Sequence, residues 1–344
     1  MTFWNKLNKP IVGLSPMDGV TDAAFRFMVD EIGEPSVMFT EFVPVEAVKA
    51  GASRVLDAFI THKTKNPIVA QLYGTNLDAY YISTLVVCML GFDGVDINMG
   101  CPAKSVESRG AGAGLIKNPD LAKQIVEVVK KAVSDFERND FERSIIPEKI
   151  AERVKTISIR NDRLLNNRIS ISVKTRIGFE ENEVENWIAH LARQNLDAIL
   201  LHGRTYRQMY RGQADWDAIK RASEIVKSIS PNTYFLGNGD VRSVDDVEIY
   251  CQFKNIDGVL IGRGALGNPW IFQKEKGRVI SKDEKFHVML RHAEKFIEFY
   301  PDGHFLSLRK HLLWYASGFD GARDLHEKLQ KVSSMGELVG LLRK

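Results

Sequence analysis

The sequence has few cysteines, no long apolar run and little net charge. Its three cysteines (Cys88, Cys101 and Cys251) are too few for a disulfide framework and favour a reducing compartment. No stretch of about 18 apolar residues occurs, so we expect no membrane span. The first residues lack the basic and then apolar pattern of a secretory signal, and these absences together predict a cytoplasmic protein. With a net charge of only +3, a nucleic-acid partner has to be recognised by local basic groups.

The order of the predicted elements indicates an α/β barrel. Eight short apolar or β-branched runs alternate with helical patterns, which predicts parallel strands joined by helical crossovers. Eight such units in a chain of 344 residues match a closed (β/α)8 barrel, the TIM barrel. A doubly wound open sheet is the alternative, because the order of elements does not show closure. The predicted strands cover residues 11–14, 37–40, 68–72, 94–98, 170–174, 198–202, 234–237 and 258–261.

Two regions of the sequence depart from this alternation. Residues 281–344 show only helical spacing, at 286–299, 306–316 and 332–342, and predict a small all-helical domain after a barrel domain at 1–275. Five of the eight histidines fall in this region, but none has zinc-ligand spacing to a cysteine, so no metal site is expected. The segment at about 134–168 is charge-rich, with one amphipathic stretch at 147–159. We interpret it as a surface elaboration, because an α-to-β connection lies on the barrel face opposite the active site.

Polar or glycine-rich groups follow the carboxyl ends of most of the predicted strands. In a parallel barrel these ends share one face, so the groups should converge on a single mouth. Stability alone does not explain polar groups from so many elements at one place. They lie at 15–19, 73–74, 98–102, 174–176, 202–204, 238–240 and 262–264.

Cys101 differs from the other two cysteines in its surroundings. Cys88 and Cys251 lie in apolar helical patterns and are interpreted as core residues, whereas Cys101 lies between Gly100 and Pro102 after the fourth predicted strand. There the thiol can supply a proton, and Asn98 can hydrogen-bond a planar substrate. An unreactive buried cysteine beside a turn fits these residues equally well.

The last two predicted strands are followed by groups suited to phosphate. Barrels commonly bind phosphate at this position through backbone amides and a short helix amino terminus, and Arg263 can add a charge-assisted contact. Two ordinary turns are the alternative, but their adjacency favours phosphate. The glycine-rich run at 110–114 does not directly follow a strand, so we interpret it as a mobile loop over the mouth and not as a dinucleotide fingerprint.

Lys174 and His202 end the fifth and sixth predicted strands. A lysine at the mouth can stabilise negative charge on a reduced cofactor ring, and a histidine can hydrogen-bond the carbonyl edge of such a ring. Each residue alone also fits a solvated strand end, and Gln71, near the end of the third strand, is equally ambiguous.

Taken together, these motifs resemble the tRNA-dihydrouridine synthase family. They occur in the family's order between about residues 11 and 270, and the residues at 309–311 and 314–315 are similar to the family's helical tRNA-binding domain. The matching stretches are Pro16-Met17-Asp18-Gly19-Val20-Thr21-Asp22, Gln71-Leu72-Tyr73-Gly74, Asp96-Ile97-Asn98-Met99-Gly100-Cys101-Pro102, Val173-Lys174-Thr175-Arg176, His202-Gly203-Arg204-Thr205, Gly237-Asn238-Gly239-Asp240 and Ile261-Gly262-Arg263-Gly264.

The resemblance implies an FMN-dependent enzyme that reduces the C5=C6 bond of specific uridines in tRNA, with NADPH or NADH as reductant. Hydride would pass from flavin N5, and Cys101 would deliver the proton. Asp18 stands where the family usually has alanine, so its carboxylate must lie away from an anionic reduced flavin. By position, the implied FMN site consists of Pro16, Met17, Asp18, Gln71, Lys174, His202, Asn238, Gly239, Asp240, Gly262 and Arg263.

A tRNA substrate would need contacts beyond the reacting base. The uracil must leave its stack, at a cost of roughly a few kcal/mol, and phosphate contacts elsewhere can offset that cost. Each basic residue alone fits a solvated surface charge, and only their clustering favours RNA. The candidate contacts are Asn98, Lys104, Arg109, Arg176, Arg204 and Arg207 at the mouth, with Arg309, Lys310 and His311 on the helical domain.

Two other classes of function fit parts of the pattern. One is an FMN barrel that acts on a free small molecule, similar to dihydroorotate dehydrogenase; the context of Cys101 and the helical tail favour RNA instead. The other is a non-catalytic RNA-binding protein, against which the intact set of Cys101, Lys174, His202 and Arg263 argues. We expect a monomer.

Overall fold

The centre of the molecule is a closed barrel of eight parallel strands. The computed structural model describes residues 1–161, 168–273 and 275–343. Each strand pairs with the next along the chain, and β8 pairs with β1, so the predicted TIM barrel is confirmed and the open sheet is excluded. The strands are β1 (Ile11–Leu14), β2 (Val37–Pro44), β3 (Ile68–Tyr73), β4 (Gly94–Met99), β5 (Ser170–Arg176), β6 (Ala198–His202), β7 (Tyr234–Asn238) and β8 (Gly258–Ile261).

Side-chain caps fix where the crossover helices begin. Asp22 accepts a hydrogen bond from the backbone N–H of Phe25 at 2.8 Å, and Asn76 and Asp215 cap their helices in the same way. The helices between the strands are α1 (Ala23–Gly33), α2 (Val45–Lys49), α3 (Leu77–Met89), α4 (Lys104–Glu107), α5 (Pro119–Glu137), α6 (Glu148–Asn161), α7 (Val184–Ala192), α8 (Trp216–Ile229) and α9 (Val244–Cys251).

The amino-terminal residues fill one end of the barrel. Phe3 and Trp4 share a buried cluster with inward side chains of the strands, among them Phe39, Leu200 and Leu260. The Trp4 indole N–H donates a 2.7 Å hydrogen bond to the hydroxyl of Ser170, the first residue of β5. This plug lies at the amino ends of the strands, so the polar groups at their carboxyl ends form the mouth at the other end.

Several strands continue further toward the mouth than the sequence predicted. β1, β6 and β8 have the predicted bounds, whereas the other five extend by one to four residues at the carboxyl end. The largest extension is in β2, whose register with β3 shifts between Phe39 and Phe42. An irregularity of this kind breaks the apolar periodicity on which the prediction relied.

After the barrel, the described residues form four α-helices: α10 (Lys282–Phe299), α11 (Arg309–Tyr315), α12 (Ala322–Leu329) and α13 (Met335–Leu342). The three predicted helical stretches are present, but α12 was not predicted, because it buries only Leu325 and Leu329 and is otherwise polar. The helices share a hydrophobic cluster with Met28 of α1 and Trp270, so they pack directly on the barrel's outer layer. The division into domains at 275 and 281 stays a prediction.

Helix α6 contains most of the amphipathic stretch predicted within the 134–168 segment. It packs against α3 and against the 3-10 turn Ser53–Phe59, with Ile150 and Ile157 buried. Arg153 of α6 forms a 2.5 Å ion pair with Asp57. Residues 162–167 of the segment lie outside the described residues. Among the residues that are described, no helix has the length and apolarity needed to span a membrane.

We predict that Trp4→Ala destabilises the protein by about 3–5 kcal/mol, because a fully buried indole is lost and the barrel end cannot collapse around the gap. Urea unfolding followed by circular dichroism measures the change. Ile249→Ala is the matched control, since Ile249 is exposed and should change stability little. Equal stability of wild type and Trp4→Ala would show that Trp4 does not close the barrel.

Candidate active site

A buried chain of hydrogen bonds crosses three strands at the mouth. Asp96 of β4 accepts hydrogen bonds from the Gln71 amide nitrogen at 2.5 Å and from the Ser172 hydroxyl at 2.6 Å. The Gln71 amide oxygen in turn accepts a bond from Asn98 Nδ2 at 2.9 Å. Burial raises the pKa of Asp96 to about 6, opposed by these bonds and by Lys174. Because unsatisfied polar groups are costly in the interior, this chain locks the orientation of each member.

Asn98 joins this chain to the loop that carries Cys101. Its amide oxygen accepts hydrogen bonds from the backbone N–H of Gly100 at 3.0 Å and of Cys101 at 2.8 Å. The sequence predicted that Asn98 contacts the substrate. In the structure both ends of its amide already have partners, and one N–H of Nδ2 is left for a ligand. Asn98 therefore positions the Cys101 loop, a role that its motif alone did not reveal.

The electrostatic surroundings of Cys101 keep its thiol protonated. Burial raises the pKa of Cys101, and the carboxylate of Asp18 raises it further, against lowering by the Ala103 amide, Arg176 and Lys174. Nucleophilic cysteines have a lowered pKa and react as thiolates. Cys101 is therefore suited to donate a proton and unsuited to attack as a nucleophile.

The glycine-rich run beside Cys101 is not the mobile loop that the sequence predicted. It enters a buried 3-10 turn, Gly112–Lys117, and the N–H of Ala113 donates to the carbonyl of Cys101 at 3.2 Å. Gly112 has φ +58°, and a Cβ there would lie 3.0 Å from the Cys101 carbonyl oxygen. The glycine permits this close packing, so the run is a backing for the Cys101 loop.

Lys174 and His202 meet a set of arginines at the mouth. Burial and Arg176 lower the pKa of Lys174 to about 8, which leaves it mostly charged at neutral pH. Burial, with the nearby cations, lowers the pKa of His202 well below its usual value, so its ring is neutral. Among the described residues, His202 Nδ1 is buried without a hydrogen-bond partner. Such an atom fits a ligand that completes the site.

The arginine of the sixth strand's loop is internal and not a surface cation. Arg204 is 1% exposed and donates to the carbonyls of Arg211 at 3.2 Å and Gly212 at 2.6 Å. Its Nη1 is buried, has no partner in the described part of the chain, and lies 3.8 Å from where a Gly239 Cβ would be. This burial is at odds with the predicted contact with tRNA phosphate. The free Nη1 instead faces the predicted phosphate end of the cofactor site.

Asp240 orients the arginines and is not itself suited to touch phosphate. Its carboxylate accepts hydrogen bonds from Arg204 at 2.6 Å and from the Ala214 amide at 2.8 Å, and it lies 3.3 Å from Arg263. Backbone and arginine partners lower its pKa against the effect of burial, so it is an anion. Asp240 holds Arg204 and Arg263 in place, and its predicted place at the phosphate end of the cofactor stays a prediction.

The remaining predicted cofactor residues come together around these groups. Asn238 donates to the Leu260 carbonyl at 2.8 Å and ties β7 to β8. A Cβ on Gly262 would lie 3.6 Å from the sulfur of Met17, so the loops after β1 and β8 meet. Gly239 has φ +125°, and a Cβ there would lie 2.7 Å from Ala214, which excludes any larger residue.

Arg176 is also internal and holds two loops of the mouth. It is 4% exposed and donates to the carbonyl of Gly100 at 2.7 Å, beside Cys101. It also donates to the carbonyls of Thr205 at 3.0 Å and Met209 at 3.1 Å. Because the side chain is buried and its Nε and Nη1 are committed in this way, Arg176 is poorly placed for the predicted phosphate contact.

The other predicted tRNA contacts differ in their exposure. Lys104, Arg109 and Arg207 are exposed near the mouth, and Arg207 pairs with Glu180. Arg309 is half-buried and donates to the Val332 carbonyl at 2.9 Å. His311 is 1% exposed, beside Asp22 at 3.9 Å, so we omit it from the candidate tRNA surface.

Sequence reasoning missed two acidic residues of this region. Asp96 lies inside an apolar strand run. A carboxylate in a strand that is buried on both faces is unusual, and this could have marked Asp96 in the sequence. Glu41 lies in the irregular part of β2, where burial and the carboxylates of Asp22 and Asp18 raise its pKa to about 7. Because the prediction ended β2 at residue 40, Glu41 received no role.

We predict that Cys101 reacts slowly with iodoacetamide at neutral pH, because burial and Asp18 favour the protonated thiol. The pH at which its alkylation rate reaches half its maximum should be higher than for a free cysteine. Mass spectrometry of alkylation rates between pH 6 and about 10 measures this midpoint. A Cys251→Ser background leaves Cys101 as the accessible thiol, since Cys88 is fully buried. A midpoint below neutral pH would mean that Cys101 is a thiolate and contradict its role as an acid.

Comparison with known proteins gives a family match over almost the whole chain. Residues 13–139 and 147–344 match the sequence profile described as Dihydrouridine synthase (Dus). The chain is 30% identical over 345 residues to "Probable tRNA-dihydrouridine synthase" of Staphylococcus aureus (strain Mu50 / ATCC 700699), which covers 99% of this chain and 94% of that protein. It is 28% identical to "Probable tRNA-dihydrouridine synthase 2" of Bacillus subtilis (strain 168), with 99% and 95% covered.

Among solved structures, the chain aligns with DHODH from Eimeria tenella over 81% of both chains. The sequence identity is 12% and the TM-score is 0.48. A similarity of this size carries no information about function.

Proposed function

The chain belongs to the dihydrouridine synthase family, and we propose that it reduces uridine in tRNA to 5,6-dihydrouridine with FMN as cofactor and NADPH or NADH as reductant. The full-length relatives named as probable tRNA-dihydrouridine synthases support tRNA as the substrate. The observation that carries the chemistry is the mouth itself, where a protonated Cys101 faces a cluster of buried cations.

The residues at the mouth fit the implied FMN. His202 Nδ1 and Arg204 Nη1 are buried donors or acceptors without a partner in the described residues, as expected of groups that a ligand completes. A Cβ on Gly239 would lie 3.7 Å from His202 Nε2 and 3.8 Å from Arg204 Nη1, so this glycine adjoins both side chains, and Arg263 adds a charge at the same end. We assign the phosphate to Arg204, Arg263 and the glycine backbone, and the ring to Met17, Lys174 and His202.

Lys174 is the residue that favours negative charge on the cofactor ring. When bound, FMN supplies the hydride that reaches uracil C6. Lys174 is charged at neutral pH and only partly exposed to water, so its attraction for an anion is screened less than that of a surface lysine. The neutral ring of His202 can donate a hydrogen bond without adding a second full charge.

Cys101 completes the reduction by protonating C5 of uracil. A hydride at C6 and a proton at C5 together give the saturated C5–C6 bond, and the resulting thiolate regains its proton from water. Asn98 and Arg176 fix the loop on which the thiol lies, through the amides and carbonyl on either side of it. This geometry holds the acid in place before the substrate arrives.

Exposed basic residues around the mouth are suited to tRNA phosphates. Lys104 and Arg109 flank the Cys101 loop, Arg207 follows β6, and half-buried Arg309 lies on α11. Phosphate contacts of this kind position the RNA and make binding dependent on salt. We propose these four residues as the tRNA surface, without Arg176, Arg204 and His311.

We predict that Cys101→Ala retains flavin but forms dihydrouridine about 10²–10⁴-fold more slowly, since a general acid contributes that much. The rate is measured on unmodified tRNA by mass spectrometry, and the flavin by its absorbance spectrum. Cys251→Ala removes a thiol from α9 and should retain the full rate. Near-normal turnover by Cys101→Ala would show that another group donates the proton. Absence of flavin from the wild-type protein would contradict the proposed function as a whole.

A further inference from the structure

Lys310 of α11 contacts the loop between β1 and α1. Its Nζ donates a hydrogen bond to the backbone carbonyl of Gly19, and a Cβ on Gly19 would lie 3.3 Å from that nitrogen. The sequence predicted that Lys310 contacts tRNA, whereas the structure turns its ammonium toward the barrel mouth. Lys310 thus connects the C-terminal helices to a loop that carries Pro16, Met17 and Asp18.

The loop that Lys310 contacts is held firmly at its other end. The Thr21 hydroxyl accepts a hydrogen bond from the Met17 N–H at 3.1 Å and donates to the Met17 carbonyl at 3.2 Å. The guanidinium of Arg26 donates to the Thr21 carbonyl and, at 2.5 Å, to the carbonyl of Ile60. Gly19 adopts φ +67°, a left-handed backbone conformation that favours glycine.

Three carboxylates surround the same loop. Asp18 lies in it, Asp22 ends it as the cap of α1, and Glu41 faces it from β2. Burial raises the pKa of Asp18 and Asp22, and the charge of Lys310 lowers both. Arg26 lowers the pKa of Asp22 and Glu41. With its Nζ on the carbonyl of Gly19, the residue after Asp18, Lys310 brings a positive charge close to the Asp18 carboxylate.

Asp18 is close enough to the reacting groups to affect them. Asp18 follows the carboxyl end of β1, which opens on the mouth. Burial raises the pKa of Cys101 and of Tyr73, and the charge of Asp18 raises both further. An anion at this place opposes the formation of another anion nearby. Without a counter-charge, Asp18 would disfavour an anionic reduced flavin.

We propose that Lys310 is a positioning residue for the cofactor, which acts through Gly19 and Asp18. From the C-terminal helices it holds the β1–α1 loop and neutralises Asp18, so that the mouth accepts a reduced flavin that carries negative charge. The C-terminal helices would then contribute to the redox site as well as to RNA binding. This inference rests on the proposed function, because it requires flavin beside this loop.

The test is the midpoint potential of the flavin in the purified, flavin-loaded protein. Lys310→Met should lower the potential, because Asp18 is left without a counter-charge and disfavours the reduced, anionic ring. Asp18→Asn in the same chain should restore the potential, and Lys310→Arg should keep it near that of wild type. Lys331→Met is the matched control: Lys331 is exposed between α12 and α13, and its loss should leave the potential unchanged.

The KM for tRNA separates this role from the predicted contact with tRNA. A positioning role leaves the KM of Lys310→Met similar to that of Lys331→Met. An unchanged potential, with a raised KM that Asp18→Asn does not rescue, would overturn the proposal and make Lys310 a tRNA contact. Should Lys310→Met fail to fold, Lys310→Gln takes its place, and the same lowered potential is expected because the charge is again lost. A wild-type protein that binds no flavin would contradict both the proposed function and this inference. A wild-type protein that binds flavin, with a midpoint potential that Lys310→Met leaves unchanged, would contradict only the inference.

Discussion

The arrangement of the mouth depends on the requirement that buried polar groups be satisfied. Asp96, Gln71 and Asn98 are buried, and they hydrogen-bond one another across β3 and β4. The last acceptor in this chain, the amide oxygen of Asn98, holds the backbone of Cys101. The position of the proposed acid is thus set from inside the barrel, by residues that do not touch the substrate. A loop anchored in this way pays little reorganisation cost when a large RNA docks over it.

Charge balance is the second constraint on the site. Lys174, Arg176, Arg204 and Arg263 bring four cations to one barrel end, and the burial of Arg176 and Arg204 makes their mutual repulsion costly. Asp96 and Asp240 offset part of this charge, Asp96 against Lys174 and Asp240 against Arg204 and Arg263. The surplus of positive charge is what an anionic cofactor would neutralise. In the loop after β1 the charge to be offset is negative, and there Lys310 balances Asp18.

The fold was predictable from sequence to a greater extent than the contacts within the site. The barrel strands are buried on both faces, so continuous apolar runs marked all eight, and polar or glycine-rich ends marked seven of them. The end of β2 was missed because the register shift interrupts its pattern of apolar residues. The polar helix α12 was missed because its surface is largely exposed and shows no clear apolar period. Asp240, Arg176 and Arg204 were correctly located at the mouth, but their roles depend on carbonyls and carboxylates distant in sequence. Burial of His311 and the direction of Lys310 likewise follow from how α11 packs on the barrel, which no local motif encodes.

The most direct test of the central claim is the mass of unmodified tRNA after incubation with the protein, FMN and NADPH. The account predicts that the tRNA gains two hydrogens at a uridine, that the gain requires the nicotinamide reductant, and that the product nucleoside is 5,6-dihydrouridine. A protein that holds flavin and oxidises NADPH while the tRNA stays unchanged would contradict the account. Such a result would point to a free small molecule as the substrate of this barrel.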